Sequence, residues 1–104
     1  NSNLAKFADT AIAKLLKEME NLGARRGNIV AKLAGGAQMF NFSETSDMLR
    51  IGTRNVIAAK ECLKELNIPI VAEDTGGNFG RTIELYSDGG ILLVKTIGHG
   101  SKEI

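Results

Sequence analysis

Leu4, Phe7, Ala8, Ala11, Ile12, Leu15, Leu16, Met19 and Leu22 recur at steps of three and one. That is the period of an amphipathic helix with one broad apolar stripe. Ser2 or Asn3 can cap its start, and Gly23 sits where a left-handed C-cap residue belongs. Arg25 to Asn28 reads as a loop. Ile29 to Ala34 then reads as a buried strand ending at Gly35-Gly36. The segment Ala37 to Phe42 places Met39, Phe40 and Phe42 where no regular period continues. Such bulk outside a helix or strand is either a lid on the core or an interaction surface.

Ser43 to Asp47 is polar and loop-like. From about Thr53 the helical period of roughly 3.6 returns, with Val56, Ala59, Leu63 and Leu66 on one face. Asn67-Ile68-Pro69 ends that helix, because the residue before proline is pushed to extended geometry. Ile68 to Ala72 forms a short buried strand, and strand, helix and strand make a right-handed crossover with parallel strands. The alternation Thr82 to Tyr86, the turn Ser87-Asp88-Gly89-Gly90 and the run Ile91 to Thr96 predict a hairpin. The polar tail from Gly98 to Ile104 is expected to fray. The predicted class is α+β: a mixed sheet layered with two main helices, from one crossover unit plus a C-terminal hairpin.

Between the second strand and the hairpin lies Ala72-Glu73-Asp74-Thr75-Gly76-Gly77-Asn78-Phe79-Gly80-Arg81. Three glycines among five residues let backbone take positive φ and approach something closely. A wide turn held by Asp74 and Thr75 side-chain bonds to backbone fits the same spacing.

Totals exclude several function classes. A chain of 104 residues is one domain that buries roughly two-thirds of its unfolded surface. Net charge of +1 argues against a nucleic-acid or membrane-surface binder. No apolar stretch reaches the roughly 18 residues a membrane span needs, and there is no signal-peptide pattern. One cysteine permits no internal disulfide and suits a reducing cytoplasm. The chain opens Asn-Ser-Asn, without an initiator Met, and enters a helix at once. It therefore reads as a possible portion of a longer domain.

Cys62 and His99 are the only residues of their kinds. Cys62 lies about 80° from the centre of the apolar stripe, flanked by Glu61 and near Glu65. Negative neighbours make the thiolate scarcer, so an inert, part-buried Cys is expected. His99 sits between glycines and reads as a mobile surface residue. One Cys and one His give no metal-ligand spacing, and no cofactor motif appears. The glycines of the 76–80 loop precede a strand and not a helix, and no Gly-Lys-Ser/Thr follows, so a phosphate cradle fails. Glu73 and Asp74, adjacent on an extended chain, point to opposite faces and do not pair as acid and base.

Taken together and in order, the motifs carry a resemblance. Lys6-Phe7-Ala8-Asp9-Thr10-Ala11, Ala31 to Phe40, Ile51-Gly52-Thr53-Arg54-Asn55-Val56, Asn67-Ile68-Pro69-Ile70, and Glu73 to Gly77 with Gly80-Arg81-Thr82-Ile83 cover nearly the whole chain. The chain resembles the carboxy-terminal two-thirds of CheD, the chemoreceptor glutamine deamidase family of bacterial chemotaxis. The resemblance implies a cytoplasmic cysteine hydrolase acting on methyl-accepting chemotaxis receptors. A thiolate, activated by a histidine, converts receptor glutamine to glutamate through a thioester. Some relatives also bind the phosphatase CheC.

The family's catalytic Cys sits in a Gly-Ser-Cys motif and its His follows on a nearby strand, both before the helix that opens this chain. Cys62 and His99 match neither position, so no catalytic residue is expected here, and residues 1–104 are expected to be an inactive portion of one domain. What carries over is a pair of loops bordering the active-site side. Gly35, Gly36, Gln38, Met39, Phe40 and Phe42 form one, and Asp74, Thr75, Gly76 and Gly77 the other. Either their glycines admit the receptor helix while Met39, Phe40 and Phe42 touch receptor or CheC, or they only pack the core. Two other readings are a non-enzymatic chemotaxis adaptor binding CheC or receptor, and a small-molecule-binding α/β module using the Gly76 to Gly80 loop.

Overall fold

The structure, a computed structural model, describes residues 2–37 and 51–104, with side chains of the first helix from Thr10 and of the second from Gly52. The first apolar period produces helix α1 (Ser2–Asn21). The Gly23 N–H donates to the Glu20 carbonyl at 3.0 Å and the Ala24 N–H to that of Met19 at 3.0 Å. These are the paired bonds of a Schellman cap, at the expected residue.

Helix α2 (Ile51–Glu65) ends in the same way without a glycine. Asn67 takes φ 61°, its N–H donates to the Lys64 carbonyl at 3.1 Å, and the Ile68 N–H donates to that of Leu63 at 2.9 Å. Asparagine tolerates this left-handed geometry better than most residues. The cap folds Ile68 back toward Leu63, and these two with Leu16 of α1 form the buried cluster. Pro69 thus follows a stop that Asn67 already makes.

Strands β1 (Ala31–Gly35) and β2 (Ile70–Thr75) flank α2 in sequence and pair in parallel. Strand β2 runs to Thr75, so Glu73, Asp74 and Thr75 end a strand where the sequence suggested a loop. Strands β3 (Thr82–Leu85) and β4 (Leu92–Thr96) form the expected antiparallel hairpin. Parallel and antiparallel pairing are both present, divided among the described residues between a two-stranded and a three-stranded sheet.

The tail is a correction. Gly100–Glu103 forms strand β5, antiparallel to β4, and Ile104 exchanges both backbone bonds with Leu92 at 2.9 and 3.1 Å. Every side chain of β5 is exposed, so no apolar alternation announces it. Backbone pairing to β4, with one ion pair from Lys102 to Asp74, holds it.

Burial also departs from the pattern. Both β1 and β2 are half-buried, with Val71 54% exposed, because the described helices cover only part of the two-stranded sheet. On α1, Leu16 is buried but Leu15 is 58% and Leu22 90% exposed, so only one side of the apolar stripe is covered. Cys62 goes the other way and is buried, at 7% exposure. Helix α2 meets α1, β1 and β2 at once, and this wide contact extends its covered arc past Leu63 to Cys62 and Ala58.

The first turn of α2 lies directly on the backbone leaving β1. A Cβ on Gly52 would sit 2.7 Å from the Ala37 carbonyl oxygen and closer still to that of Gly36, and one on Gly36 would overlap Val56. Gly52→Ala should therefore cost about 1–3 kcal/mol by forcing helix and strand apart. Gly27→Ala, where a Cβ meets nothing within 4 Å, should stay within about 0.5 kcal/mol. Urea midpoints of the two variants, compared with the parent, check both values.

Candidate functional site

The parallel strands β1 and β2 end together. In their register Ala34 stands opposite Asp74 and Gly35 opposite Thr75. The Gly76 N–H donates to the Gly35 carbonyl at 3.0 Å, carrying the pairing one step beyond the strands. Gly76 and Gly77 then take φ of 83° and 70°, as the glycine-rich loop requires. A rim of half-buried backbone results at the carboxyl ends of the two parallel strands, the end at which open α/β sheets receive ligands.

Arg81 fastens this rim. Its Nε donates to Asp74 Oδ2 at 3.1 Å, one terminal nitrogen donates to the Gly35 and Phe79 carbonyls at 3.3 and 3.2 Å, and the other to Gly76 at 3.0 Å. Its side chain is only 9% exposed. Lys102 of β5 pairs with the other Asp74 oxygen at 3.2 Å. Glu73 faces the opposite way, accepting from the Thr75 hydroxyl at 2.8 Å and pairing with Lys60 of α2 at 3.0 Å. Neither carboxylate addresses the other, as the pleat requires.

Beside the rim a hollow of about 240 Å³ is lined by Asp74, Phe79, Arg81, Val94, His99 and Lys102, among others. His99 is not a solitary surface ring: it stands against Phe79 with centroids 3.8 Å apart. Asp74 gives its oxygens to Arg81 and Lys102, so it does not orient the imidazole as a base. Cys62 lies in α2 and does not line this hollow. A second hollow, of about 460 Å³, lies at the amino end of β1, among Met19, Arg25 and Ile29, away from the rim.

Of the residues singled out from sequence, Gly35, Gly36, Asp74, Thr75, Gly76 and Gly77 lie together at the strand ends. Gln38, Met39, Phe40 and Phe42, with the Ser43 to Asp47 loop, lie outside the described residues. Sequence reasoning missed Arg81 as the centre of the site. The available signal was an arginine one residue past a glycine loop that contains an aspartate, where backbone carbonyls crowd. Lys102 carried no signal, because its strand was not foreseen. Among the described residues no cluster of three or more His, Cys, Asp or Glu is placed to hold a metal ion. Nor is any helix among them long and apolar enough to cross a membrane.

Comparison with known proteins puts this geometry in context. The family profile described as CheD chemotactic sensory transduction matches residues 1–96. A protein named probable chemoreceptor glutamine deamidase CheD from Caldanaerobacter subterraneus subsp. tengcongensis is 64% identical over 104 residues, all of this chain and 64% of that relative. One of the same name from Lachnoclostridium phytofermentans is 56% identical over the whole chain and 65% of its own length. The chemoreceptor glutamine deamidase CheD of Halalkalibacterium halodurans is 54% identical over 98% of the chain and 63% of its own length. The chain thus spans just under two-thirds of these relatives.

The electrostatics of the rim give a measurable signature. Partial burial pushes the Asp74 carboxyl up, but hydrogen bonds and charge from Arg81 and Lys102 together outweigh it and hold the group below its ordinary value. A carboxylate whose folded pKa is depressed stabilises the fold above its unfolded pKa of about 3.9, and loses that contribution as pH falls through the folded value. Asp74→Asn should cost about 2 kcal/mol at neutral pH, the scale of a charge-assisted bond. The gap should narrow below about pH 4 as the parent's own carboxylate is protonated. Urea midpoints of parent and variant from pH 7 to pH 2 check the sign. Glu73, lowered by the Thr75 hydroxyl and then by Lys60, leaves a residual slope in both.

Proposed function

The chain belongs to the CheD family, and on that premise we propose that it is the larger part of a chemoreceptor glutamine deamidase. The identity of 64% over the entire chain to a relative of that name carries the reading. The substrate is a glutamine side chain on a methyl-accepting chemotaxis receptor, reached from the cytoplasm. In the reaction that the resemblance implies, a histidine takes the thiol proton and the thiolate adds to the side-chain amide carbon. The carbon–nitrogen bond breaks and ammonia leaves. Water then hydrolyses the thioester, giving glutamate and the free thiol.

This chain's share is the rim. Gly35, Gly36, Asp74, Thr75, Gly76 and Gly77 present backbone to the receptor helix, while Gln38, Met39, Phe40 and Phe42 contact receptor or CheC. Residues 1–104 are part of one CheD domain, whose remainder covers apolar side chains such as Leu15, Val71 and Leu85. By itself the chain is inactive: Cys62 is buried away from the rim hollow and His99 packs on Phe79. The same two observations favour, as a second reading, a non-enzymatic adaptor that keeps only the binding surface.

Mass spectrometry of a receptor cytoplasmic fragment decides between the two. Conversion of an amide to an acid adds about one mass unit per site. The full-length gene product should convert the receptor and this chain alone should not. Conversion by this chain alone would make Cys62 and His99 the catalytic pair after all. Conversion by neither would favour the adaptor. Phe40→Ser with Phe42→Ser in the full-length protein should abolish receptor or CheC binding with unchanged melting. A large fall in melting temperature would instead assign those residues to the core.

A further inference from the structure

We infer that Arg81 is the positioning residue of the rim, holding the Gly76–Gly80 loop against the carboxyl ends of β1 and β2 and thereby setting affinity for the receptor segment. That the rim faces receptor rests on the deamidase reading above. That Arg81 orders the loop rests on geometry alone.

The guanidinium has four acceptors from three different stretches of chain. They are the Gly35 carbonyl at the end of β1, the Asp74 carboxylate in β2, and the Gly76 and Phe79 carbonyls within the loop. Without Arg81, a single backbone bond among the described residues ties the loop to β1, from the Gly76 N–H to Gly35. Gly76 and Gly77 impose no stiffness of their own, since glycine has the widest backbone freedom. A loop built to admit close approach must therefore be stiffened by something other than its own residues. Arg81 is placed to do so because its planar fork satisfies several carbonyls at once from one buried position. A lysine there would supply the charge as a single point and could not hold the same set. Lys102 secures the second oxygen of Asp74 from β5, so the clamp also fixes the antiparallel sheet to the parallel one. Arg81 does not touch reacting atoms; it acts through the backbone it holds.

The test uses the full-length gene product and Arg81→Lys, with two readouts. The first is hydrogen exchange at the Gly76 amide, referenced to the Ile68 amide, which is bonded to Leu63 in the core. Exchange at Gly76 should accelerate by about tenfold or more while Ile68 is unchanged, the mark of local opening. The second is receptor deamidation, in which KM should rise by roughly tenfold with kcat within about threefold, as loss of binding without loss of chemistry requires. Unchanged exchange at Gly76 overturns the clamp. Faster exchange with unaltered KM overturns the positioning role, since the loop would then be free but unused. If the parent protein converts no receptor glutamine, the deamidase reading fails, and exchange alone still decides whether Arg81 orders the loop. Should Arg81→Lys lose Ile68 protection as well, Asp74→Asn replaces it. That change leaves Arg81 its three carbonyls and should give the same pattern at smaller amplitude.

Discussion

Helix α2 is fixed to the rest of the molecule at both ends through backbone, and the site depends on that. At its start Gly52 lies against the Gly36 and Ala37 carbonyls with no room for a methyl group. At its end the Asn67 cap turns the chain so that Ile68 joins Leu63 and Leu16 in the core. A crossover helix held at both ends fixes where β2 begins relative to where β1 ends. The parallel register follows, with Gly35 opposite Thr75. Two strand ends that finish level are what create a rim.

Charge then does at the rim what packing does in the core. Arg81 and Asp74, 9% and 19% exposed, are shielded enough for their attraction to escape most solvent screening. Lys60–Glu73 and Lys95–Glu84 are more exposed and contribute little by comparison. Lys32 makes a second tie between the sheets. From β1 its amine donates to the Gly90 carbonyl at 2.8 Å and to that of Ile104 at 2.7 Å. Both are backbone groups of the antiparallel sheet, one in its turn and one at its last residue. The two sheets are thus joined by cations from one side reaching carbonyls or carboxylates on the other, with no strand pairing between them among the described residues.

The described core is narrow. Leu92 and Val94 are buried, while their cross-strand partners Leu85 and Ile83 on the same face are 71% and 51% exposed. An apolar face that is covered along one strand and bare along the next has more surface than these elements can bury. The same holds for α1 at Leu15 and for β2 at Val71.

By itself, the sequence determined the elements whose cause is local. The period of α1, the Gly23 cap, the β3–β4 hairpin around Ser87 to Gly90 and the positive φ of Gly76 and Gly77 all rest on residues close in the chain. The opposite directions of Glu73 and Asp74 follow from the pleat. The family too is legible in the sequence, because its motifs stand in order along the chain. Tertiary structure decided what depends on distant partners. Strand β5 exists because β4 offers an unpaired edge, and the burial of Cys62 follows from three elements meeting on α2. Arg81 became central only when β1 converged on it with the nearby acceptors of β2 and the glycine loop, since the Gly35 carbonyl that ties it to β1 lies 46 residues away. Local propensity acts over a few residues, whereas a clamp is defined by groups that only the folded chain brings together.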